Sequence, residues 1–334
     1  MQPIDPQKWL RNKARISPYE IAFWIAALII PYAFFPNYLA LASQIAATAI
    51  FCIALDLIIG YAGIISLGHA AFFGLGAYAA GILSQKGWGE PISGALFGAI
   101  FAGFCGWIVS FMIVRVQHLA LLMITLGLGF LLVELANTLD WLTGGSDGLL
   151  GIDTWNLFGV FKFTFWGYTA YGYTLGAAFL VFLLCRRLVN SPFGLALETI
   201  RENPQRTTAL GVPNRARLQK VFTISAAIAG LAGAILAQTT ETVSLDSLGF
   251  QRSADIAVML ILGGTGRLYG AILGSIIFLV ARDQLSGMNP QYWYFWIGLL
   301  LMIVVLFMPR GILGGLEKIK SKLSTKPNQK VDGA

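Results

Sequence analysis

Histidine and cysteine, the side chains that most often carry catalysis or hold metal ions, are rare in this sequence. The two histidines, His69 and His118, occur without HxxH or HExxH spacing and with no cysteine nearby, so no metal site is predicted. Cys52, Cys105 and Cys185 lie in or beside apolar runs, which indicates small core residues and no disulfide framework. We interpret His69 as a hydrogen-bonded packing residue, with the lining of a solute path as the alternative.

Nucleotide binding through a P-loop is excluded, because the chain has no GxxxxGK motif and no Gly-Lys dipeptide. The stretch GGTGRLYG resembles a phosphate loop only loosely, and it follows an apolar, helix-like run. Gly266, Gly270 and Gly274 are spaced four residues apart there, which is typical of helix packing. The chain is therefore not predicted to be an enzyme or to bind a cofactor.

Two acidic residues, Asp56 and Glu134, fall within apolar segments, where an ionisable group points to function by default. Asp56 lies about one turn from a segment end, so its carboxylate could instead reach the interface. Neither acid belongs to the series of buried acids that a proton-coupled carrier needs. A further polar cluster near the outer ends of two segments could meet a soluble partner or a polar solute, or could be a solvated loop: Ser244, Asp246, Gln251, Arg252 and Asp255.

The composition is that of an integral membrane protein. Of 334 residues, 57% are hydrophobic and 12% are charged, about half the charge of an average soluble domain. The net charge of +7 resides at the ends of apolar segments, without the interleaved aromatic residues of a nucleic-acid-binding protein. The charge pattern therefore predicts membrane topology, and no nucleic acid is expected as a partner.

Apolar segments long enough for a bilayer core of about 30 Å predict an all-α, polytopic protein with eight to ten spans. Two further passes, or a broken pair, are predicted with Arg267 at their cytoplasmic tip, because a single pass would place the basic C-terminal residues outside. The predicted spans are Ile21–Pro36, Tyr38–Ile59, Ala62–Leu83, Pro91–Val114, Leu119–Leu139, Phe165–Cys185, Val221–Gln238 and Trp293–Met308.

The positive-inside rule orients this arrangement. Residues 1–20 are predicted to be a cytoplasmic tail, residues 21–309 the transmembrane domain, and residues 310–334 a basic cytoplasmic tail. Residues 186–220 form the largest charged island between apolar segments and are predicted to be cytoplasmic as well.

Small residues recur at four-residue spacing in several spans, which favours close helix contact. One such series lies in the fourth span, at Gly94, Gly98, Ala102 and Gly106, and another in the seventh, at Ala226, Gly230 and Ala234. The residues assigned to helix packing or to the solute path are Gly63, Gly68, His69, Gly74, Gly94, Gly98, Gly106, Gly263, Gly264, Gly266, Gly270 and Gly274.

The charged island contains a predicted helix with its own start and stop signals. Ser191 followed by Pro192 predicts an N-cap with proline at the first helical position. Asn203-Pro204 should interrupt the helix, and Gly211 with Pro213 should end a second piece. Its mixed apolar and charged faces favour a docking element over a plain connecting loop.

Four ordered motifs make the chain resemble a known family: GYAGIISLGHAAFFGLGAYAAGIL, SPFGLALETIRENPQRTTALGV, LGGTGRLYGAILG and FMPRGILGGL. Together, from about Ile45 to Leu316, they resemble the LivM-type permease subunits of branched-chain amino acid ABC importers. The resemblance implies an ABC importer permease fold and a cytoplasmic coupling segment between Ser191 and Gly211. The family's coupling segment is named after a glutamate-alanine-alanine sequence, and this chain has Glu198-Thr199-Ile200 at that position. The coupling residues implied are Ser191, Pro192, Phe193, Gly194, Glu198, Arg201, Glu202 and Gly211.

The resemblance also implies a heteromeric importer in a bacterial or archaeal cytoplasmic membrane. Its other members would be a second, LivH-type permease, two ABC ATPase subunits and a periplasmic or surface solute-binding protein. The expected solutes are leucine, isoleucine and valine. Two alternatives remain open, namely the same architecture importing urea, a short amide or another small organic solute, and an ion-coupled carrier working alone.

Overall fold

A computed structural model describes residues 18–116, 119–164, 166–308 and 311–315. Most of the two predicted tails, and His118, lie outside the described residues. The helices are α1 (Pro18–Phe34), α2 (Leu39–Asp56), α3 (Ala70–Gln85), α4 (Pro91–Ile113), α5 (Leu119–Thr138), α6 (Asp140–Thr143), α7 (Tyr168–Val189), α8 (Pro192–Glu202), α9 (Pro204–Ala209), α10 (Asn214–Thr240), α11 (Phe250–Gly263), α12 (Leu268–Met288) and α13 (Trp293–Phe307). Two short strands, β1 (Leu149–Leu150) and β2 (Thr242–Val243), pair antiparallel.

The all-α, polytopic class is confirmed. Within the described ranges, six helical segments are long and apolar enough to cross a membrane, and three shorter apolar helices accompany them. At 1.5 Å per residue, the 14-residue helix α11 is only about 21 Å long, so it falls short of a full bilayer core. The predicted count of eight to ten spans is therefore approximate.

Helices α2 and α10 form the centre of the bundle. Every side chain of α2 from Ala46 to Asp56 is buried, and α10 packs against α2, α3 and α4. A helix that is apolar on all sides is stable only when other helices or lipid surround it. The uniform apolar sequence of α2 thus places it in the interior.

The two small-residue series lie against each other. They pair in opposite directions along α4 and α10, as Gly94 with Gln238, Gly98 with Ala234, Ala102 with Gly230, and Gly106 with Ala226. Large residues occupy the outward face of α4, where Phe97, Phe104 and Ile108 are exposed. Because lipid provides no hydrophobic drive between helices, this close approach supplies the packing contact that joins α4 to α10.

The third predicted span starts later than expected. A helix from Ala62 was predicted, but α2 ends in a widened turn at Leu57–Tyr61, residues 62–69 are not helical, and α3 begins only at Ala70. Gly63 has a φ of +73°, which a right-handed helix does not allow. The backbone N–H of Ala70 donates to Ser253 Oγ on α11 at 2.9 Å, which satisfies one of the free donors at the start of α3.

The charged island is shorter than predicted. Helix α7 continues past Cys185 to Val189, and α10 starts at Asn214, seven residues before the predicted Val221. Polar side chains do not end a helix by themselves. Here the polar residues at the two borders of the island belong to the last turn of α7 and the first turns of α10. Arg186, for example, forms an ion pair with Glu20 at the start of α1.

Helices α11 and α12 form an antiparallel hairpin. Gly263 lies against Gly270, and Gly274 against Met259, while residues 264–267 make the non-helical turn. This is the broken pair that the sequence predicted around Arg267. We call the end of the bundle that carries α8 and α9 the α8 end, and the opposite end, which carries the two strands, the β1–β2 end. The start of α1 and residues 311–315 both lie at the α8 end, through Arg186 and Gly264 respectively.

Candidate functional site

Helix α8 lies on the α8 end of the bundle through one apolar face. Leu197 and Ile200 are buried, and Phe193 packs against the core. Gly194 approaches the end of α7 so closely that a side chain there would collide with the Val189 backbone. Glycine at this position lets the helix dock, and Pro192, Thr199 and Glu202 are left on its outer side.

The two helices of the island begin and end close to the predicted residues, with one difference in capping. Ser191 occupies the N-cap position of α8, but its hydroxyl donates to the Leu188 carbonyl at 2.6 Å instead of accepting from the helix. Asn203 ends α8 with extended backbone angles and caps α9, since its side-chain oxygen accepts from the Arg206 N–H at 2.9 Å. Asn203-Pro204 therefore terminates one helix and starts the next.

Helix α9 and the turn after it form an exposed projection, residues 203–214, which we call the knuckle. Asn214 holds it together, because its side-chain amide donates to the Pro204 carbonyl and to the hydroxyls of Thr207 and Thr208, at 2.8 to 3.0 Å. Gly211 turns the chain with a φ of +78°, and Leu210 is 74% exposed at the tip. Sequence reasoning placed the breaks here but assigned no role to Asn214 or Leu210.

One charged side chain of α8, Arg201, bonds to the bundle. The Arg201 guanidinium donates to the carbonyl of Gly60, in the widened turn after α2, and its methylene groups lie against Gly63. Glu202, the adjacent residue on α8, is exposed. Arg201 is thus the contact that joins α8 to the end of α2 and to the non-helical residues 62–69.

Asp56 lies behind this contact and does not extend to the interface. It is fully buried, and its Oδ1 accepts a hydrogen bond from the Gly266 N–H in the turn between α11 and α12, at 2.7 Å. Gly60 lies so close to both Asp56 and Gly266 that no side chain would fit. The α2 end, Arg201 of α8 and the α11–α12 turn therefore meet in one polar cluster, which we call the Asp56 cluster.

Replacing Asp56 by alanine is expected to destabilise the protein, because the half-buried Gly266 N–H then loses its acceptor. An unsatisfied buried donor costs about 1–3 kcal/mol. The thermal unfolding temperature of the purified chain measures the loss. Glu134, exposed on α5, provides the matched control, and Glu134→Ala should leave that temperature nearly unchanged. Equal unfolding temperatures for the two variants would contradict a structural role for the Asp56 carboxylate.

His69 is a buried core residue beside the start of α3. Its ring stacks on Phe51 and meets Phe222 edge-on, and its Nε2 lies 2.9 Å from Ser225 Oγ. Because the Ser225 hydroxyl already donates to the Ala54 carbonyl, Nε2 must donate to Ser225. His69 therefore joins the start of α3 to α10.

The remaining glycines assigned to packing or path lie at close contacts between elements. A side chain at Gly68 would collide with the Thr125 carbonyl of α5, and one at Gly74 would collide with Leu248. Gly264 and Gly266 have positive φ angles in the α11–α12 turn. Within the described residues, no group of three or more His, Cys, Asp or Glu side chains is placed to hold a metal ion.

Comparison with known proteins gives the family. Residues 37–305 match the family described as branched-chain amino acid transport system / permease component. The chain belongs to this family. It is 30% identical over 286 residues to the high-affinity branched-chain amino acid transport system permease protein LivM of Escherichia coli K12, which covers 78% of this chain and 66% of that protein. The resemblance to LivM-type permeases is thereby confirmed.

More distant members of the family show the same relationship. The chain is 28% identical over 182 residues to a probable branched-chain amino acid transport permease protein LivM of Methanocaldococcus jannaschii, covering 50% of this chain and 52% of that protein. It is 31% identical over 128 residues to the permease protein LivH of Salmonella typhimurium, covering 38% and 41%. No solved structure matches the chain.

Family membership and the apolar helices together make this chain a multi-pass membrane permease. The match covers 66% of the E. coli LivM chain, just under two thirds of its length. The relatives are permease proteins, which agrees with a transport role and not with an enzymatic one.

Proposed function

We propose that the chain is the LivM-type permease subunit of an ATP-driven importer for leucine, isoleucine and valine. The observation that carries the proposal is the α8–α9 element, which projects outward as the knuckle and contacts the Asp56 cluster through Arg201. A plain connecting loop needs neither feature. The names of the LivM relatives support the choice of solute.

The knuckle is the surface that would meet an ATPase subunit. Its exposed residues combine an apolar tip, Leu210, with Arg206, the exposed Glu202 of α8 lies directly before it, and the Asn214 bonds fix its shape. A docking element must be rigid to transmit a displacement, since a flexible loop would absorb it. Of the coupling residues that the resemblance implies, five remain proposed for direct coupling: Pro192, Glu198, Arg201, Glu202 and Gly211. Ser191, Phe193 and Gly194 would act by seating α8 on the bundle.

The Asp56 cluster is the place where such a displacement would enter the membrane domain. The widened turn after α2 departs from α-helical geometry, residues 62–69 and the α11–α12 turn are non-helical, and Gly63, Gly264 and Gly266 have positive φ angles. Turns of this kind can absorb changes in backbone angle that a helix cannot. A cavity of about 600 Å³ between α8, residues 62–65 and the ends of α4 and α5 leaves room for movement.

The proposed assembly contains a second, LivH-type permease, two ABC ATPases and a periplasmic or surface solute-binding protein, in a bacterial or archaeal cytoplasmic membrane. The partial identity to LivH supports a pair of related permeases. ATP binding would close the ATPases, displace the knuckle and change which side of the membrane the permeases open to. This requires that nucleotide favour one of the two states. Both termini, and the basic tail of residues 310–334, would be cytoplasmic.

The proposal is tested by uptake of radiolabelled leucine and urea in cells that lack this chain, with the wild-type gene restored as the control. Loss of leucine uptake on deletion and its return on restoration are expected, with urea uptake unchanged. Loss of urea uptake alone would keep the architecture and replace the solute. Unchanged uptake of both compounds would contradict the proposed solute.

A further inference from the structure

A polar cavity lies near the β1–β2 end of the bundle, opposite the end that carries the knuckle. It has a volume of about 280 Å³ and lies between α2, α10, α11 and α12. Its polar lining consists of Gln44, Thr48, Thr240, Arg252, Arg282, Asp283 and Ser286. The volume is close to the lower limit of small-molecule sites, about 300–1,000 Å³.

Two arginines, Arg252 and Arg282, line this cavity. Arg252 Cζ lies 5.1 Å from the ring centre of Phe73, and its Nε is buried with no hydrogen-bond partner. Arg282 Cζ lies 5.2 Å from the ring centre of Trp293. Across the part of the chain that the structure describes, neither guanidinium has a carboxylate within 4.0 Å. Both charges therefore lie against aromatic rings, and the nearby carboxylates of Asp255 and Asp246 act on Arg252 without forming an ion pair with it.

Two neighbouring guanidinium groups repel each other, and Arg252 and Arg282 are close enough to do so. Asp255 offsets part of this repulsion, and an anion bound between the two guanidinium groups would offset more of the cost of keeping them in a membrane domain. Guanidinium groups match carboxylates in shape and donor geometry. Asp283 lines the same cavity and supplies a carboxylate, and Leu41, Leu236 and Leu279 supply apolar surface.

We propose that this cavity binds an α-amino acid as its zwitterion. The solute carboxylate would bind Arg252 and Arg282, its ammonium group would bind Asp283, and its aliphatic side chain would contact the three leucines. The inference rests on the proposed function and names a solute site for it within this chain. Urea, which has no carboxylate, leaves both arginines unpaired there, so the site favours amino acids.

The cavity connects to the Asp56 cluster through a short series of contacts. Arg252 is followed by Ser253, which accepts from the N–H of Ala70 at the start of α3. Residues 62–69 lead from there to Gly63, which touches Arg201 of α8. A movement of α8 that shifts this non-helical segment would therefore reach the helix that carries Arg252.

Protection of a cysteine at the cavity tests the site without requiring transport. Gln44 lines the cavity and is exposed, so Gln44→Cys should react with a charged methanethiosulfonate in the purified full chain. The native cysteines are buried or half-buried, and the unsubstituted chain corrects for their labelling. Leucine should slow the labelling of Gln44→Cys. Leucinamide, which lacks the carboxylate, and 4-methylpentanoate, which lacks the ammonium group, should slow it much less.

The arginines are tested by Arg252→Gln and Arg282→Gln in the Gln44→Cys background. Each should raise the leucine concentration that gives half-protection about tenfold to a hundredfold, since a hydrogen bond to a charged group contributes about 1.5–3 kcal/mol. Lys162→Gln is the control, because it removes an exposed positive charge at the same end outside the cavity. Ser286→Cys provides a second labelling position, and Asp283→Asn a second variant, should an arginine variant fail to fold.

The outcomes separate the site from the proposed function. Leucine uptake by wild-type cells together with unprotected cysteines at both positions would overturn the site and leave the function standing. Protection by leucine without any leucine uptake would support the site and contradict the proposed transport. Equal protection by leucine and 4-methylpentanoate would show a simple anion site and overturn the zwitterion proposal.

Discussion

Arg201→Glu is expected to abolish leucine uptake while the protein still inserts into the membrane. The substitution removes the hydrogen bond from the Arg201 guanidinium to the Gly60 carbonyl. It also places a carboxylate near the carboxylate of Asp56, which the guanidinium now attracts. Loss of a charge-assisted bond together with this repulsion should lower the uptake rate by at least about tenfold. Initial rates of radiolabelled leucine uptake, normalised to the amount of protein in the membrane, measure the effect.

Arg115→Glu is the matched control for Arg201→Glu. Arg115 is exposed just beyond the end of α4, at the same end of the bundle, and it belongs to neither α8 nor the Asp56 cluster. Its reversal should change uptake little. Glu198→Arg, on the same helix as Arg201, is expected to reduce uptake as well. Normal uptake by Arg201→Glu at a wild-type protein level would refute the role of Arg201 in coupling.

Gly76→Ala is expected to have the largest effect on folding. A side chain at Gly76 would collide with the backbone of Gly230, where α3 crosses α10 with no room between them. Forcing a methyl group into such a contact costs about 1–3 kcal/mol or more, and a backbone neighbour cannot rotate away as a side chain can. The variant should give little folded protein in size-exclusion profiles of solubilised membranes and a lower unfolding temperature.

The same substitution at Gly127 should act in the opposite direction. Gly127 lies inside α5 with no atom in the way of an added methyl group, and it is exposed. Alanine there gains up to about 1 kcal/mol in helix propensity. A Gly76→Ala protein as stable as Gly127→Ala would show that the α3–α10 crossing tolerates a wider spacing than the structure has.

Features that depend on local sequence were predicted well. The start of α4 at Pro91 and the interruption of the α8–α9 element at Asn203-Pro204 follow from proline geometry, which acts on adjacent residues. The close helix contact that each of the α4 and α10 series makes follows from the four-residue spacing of their small side chains. Each of these signals is complete within a few turns of sequence.

Features that depend on distant partners were missed. From the sequence alone, the Asp56 carboxylate could have reached the membrane interface. Its role as a hydrogen-bond acceptor depends on Gly266, which is 210 residues away. The start of α3 at Ala70 depends likewise on Ser253, since an apolar run does not reveal that its first turn is capped from another helix.

The polar cavity combines a residue that the sequence analysis recognised with two that it missed. Arg252 was recognised as part of a polar cluster near an outer mouth, because it lies beside other polar residues. Arg282 and Asp283 passed unnoticed at the end of an apolar run, where a charged pair is an ordinary helix terminus. Only the packing of α12 against α2 and α11 brings them to the same cavity as Arg252.

The central claim is that this chain moves branched-chain amino acids with energy from ATP bound by partner subunits. It is tested most directly in proteoliposomes that contain the full chain, a second permease and the ATPases encoded beside it, with the solute-binding protein supplied outside. Leucine accumulation that requires ATP, and that is lost with Arg201→Glu, is the predicted result. Leucine accumulation by the chain alone, driven by a proton gradient without ATP, would contradict the account.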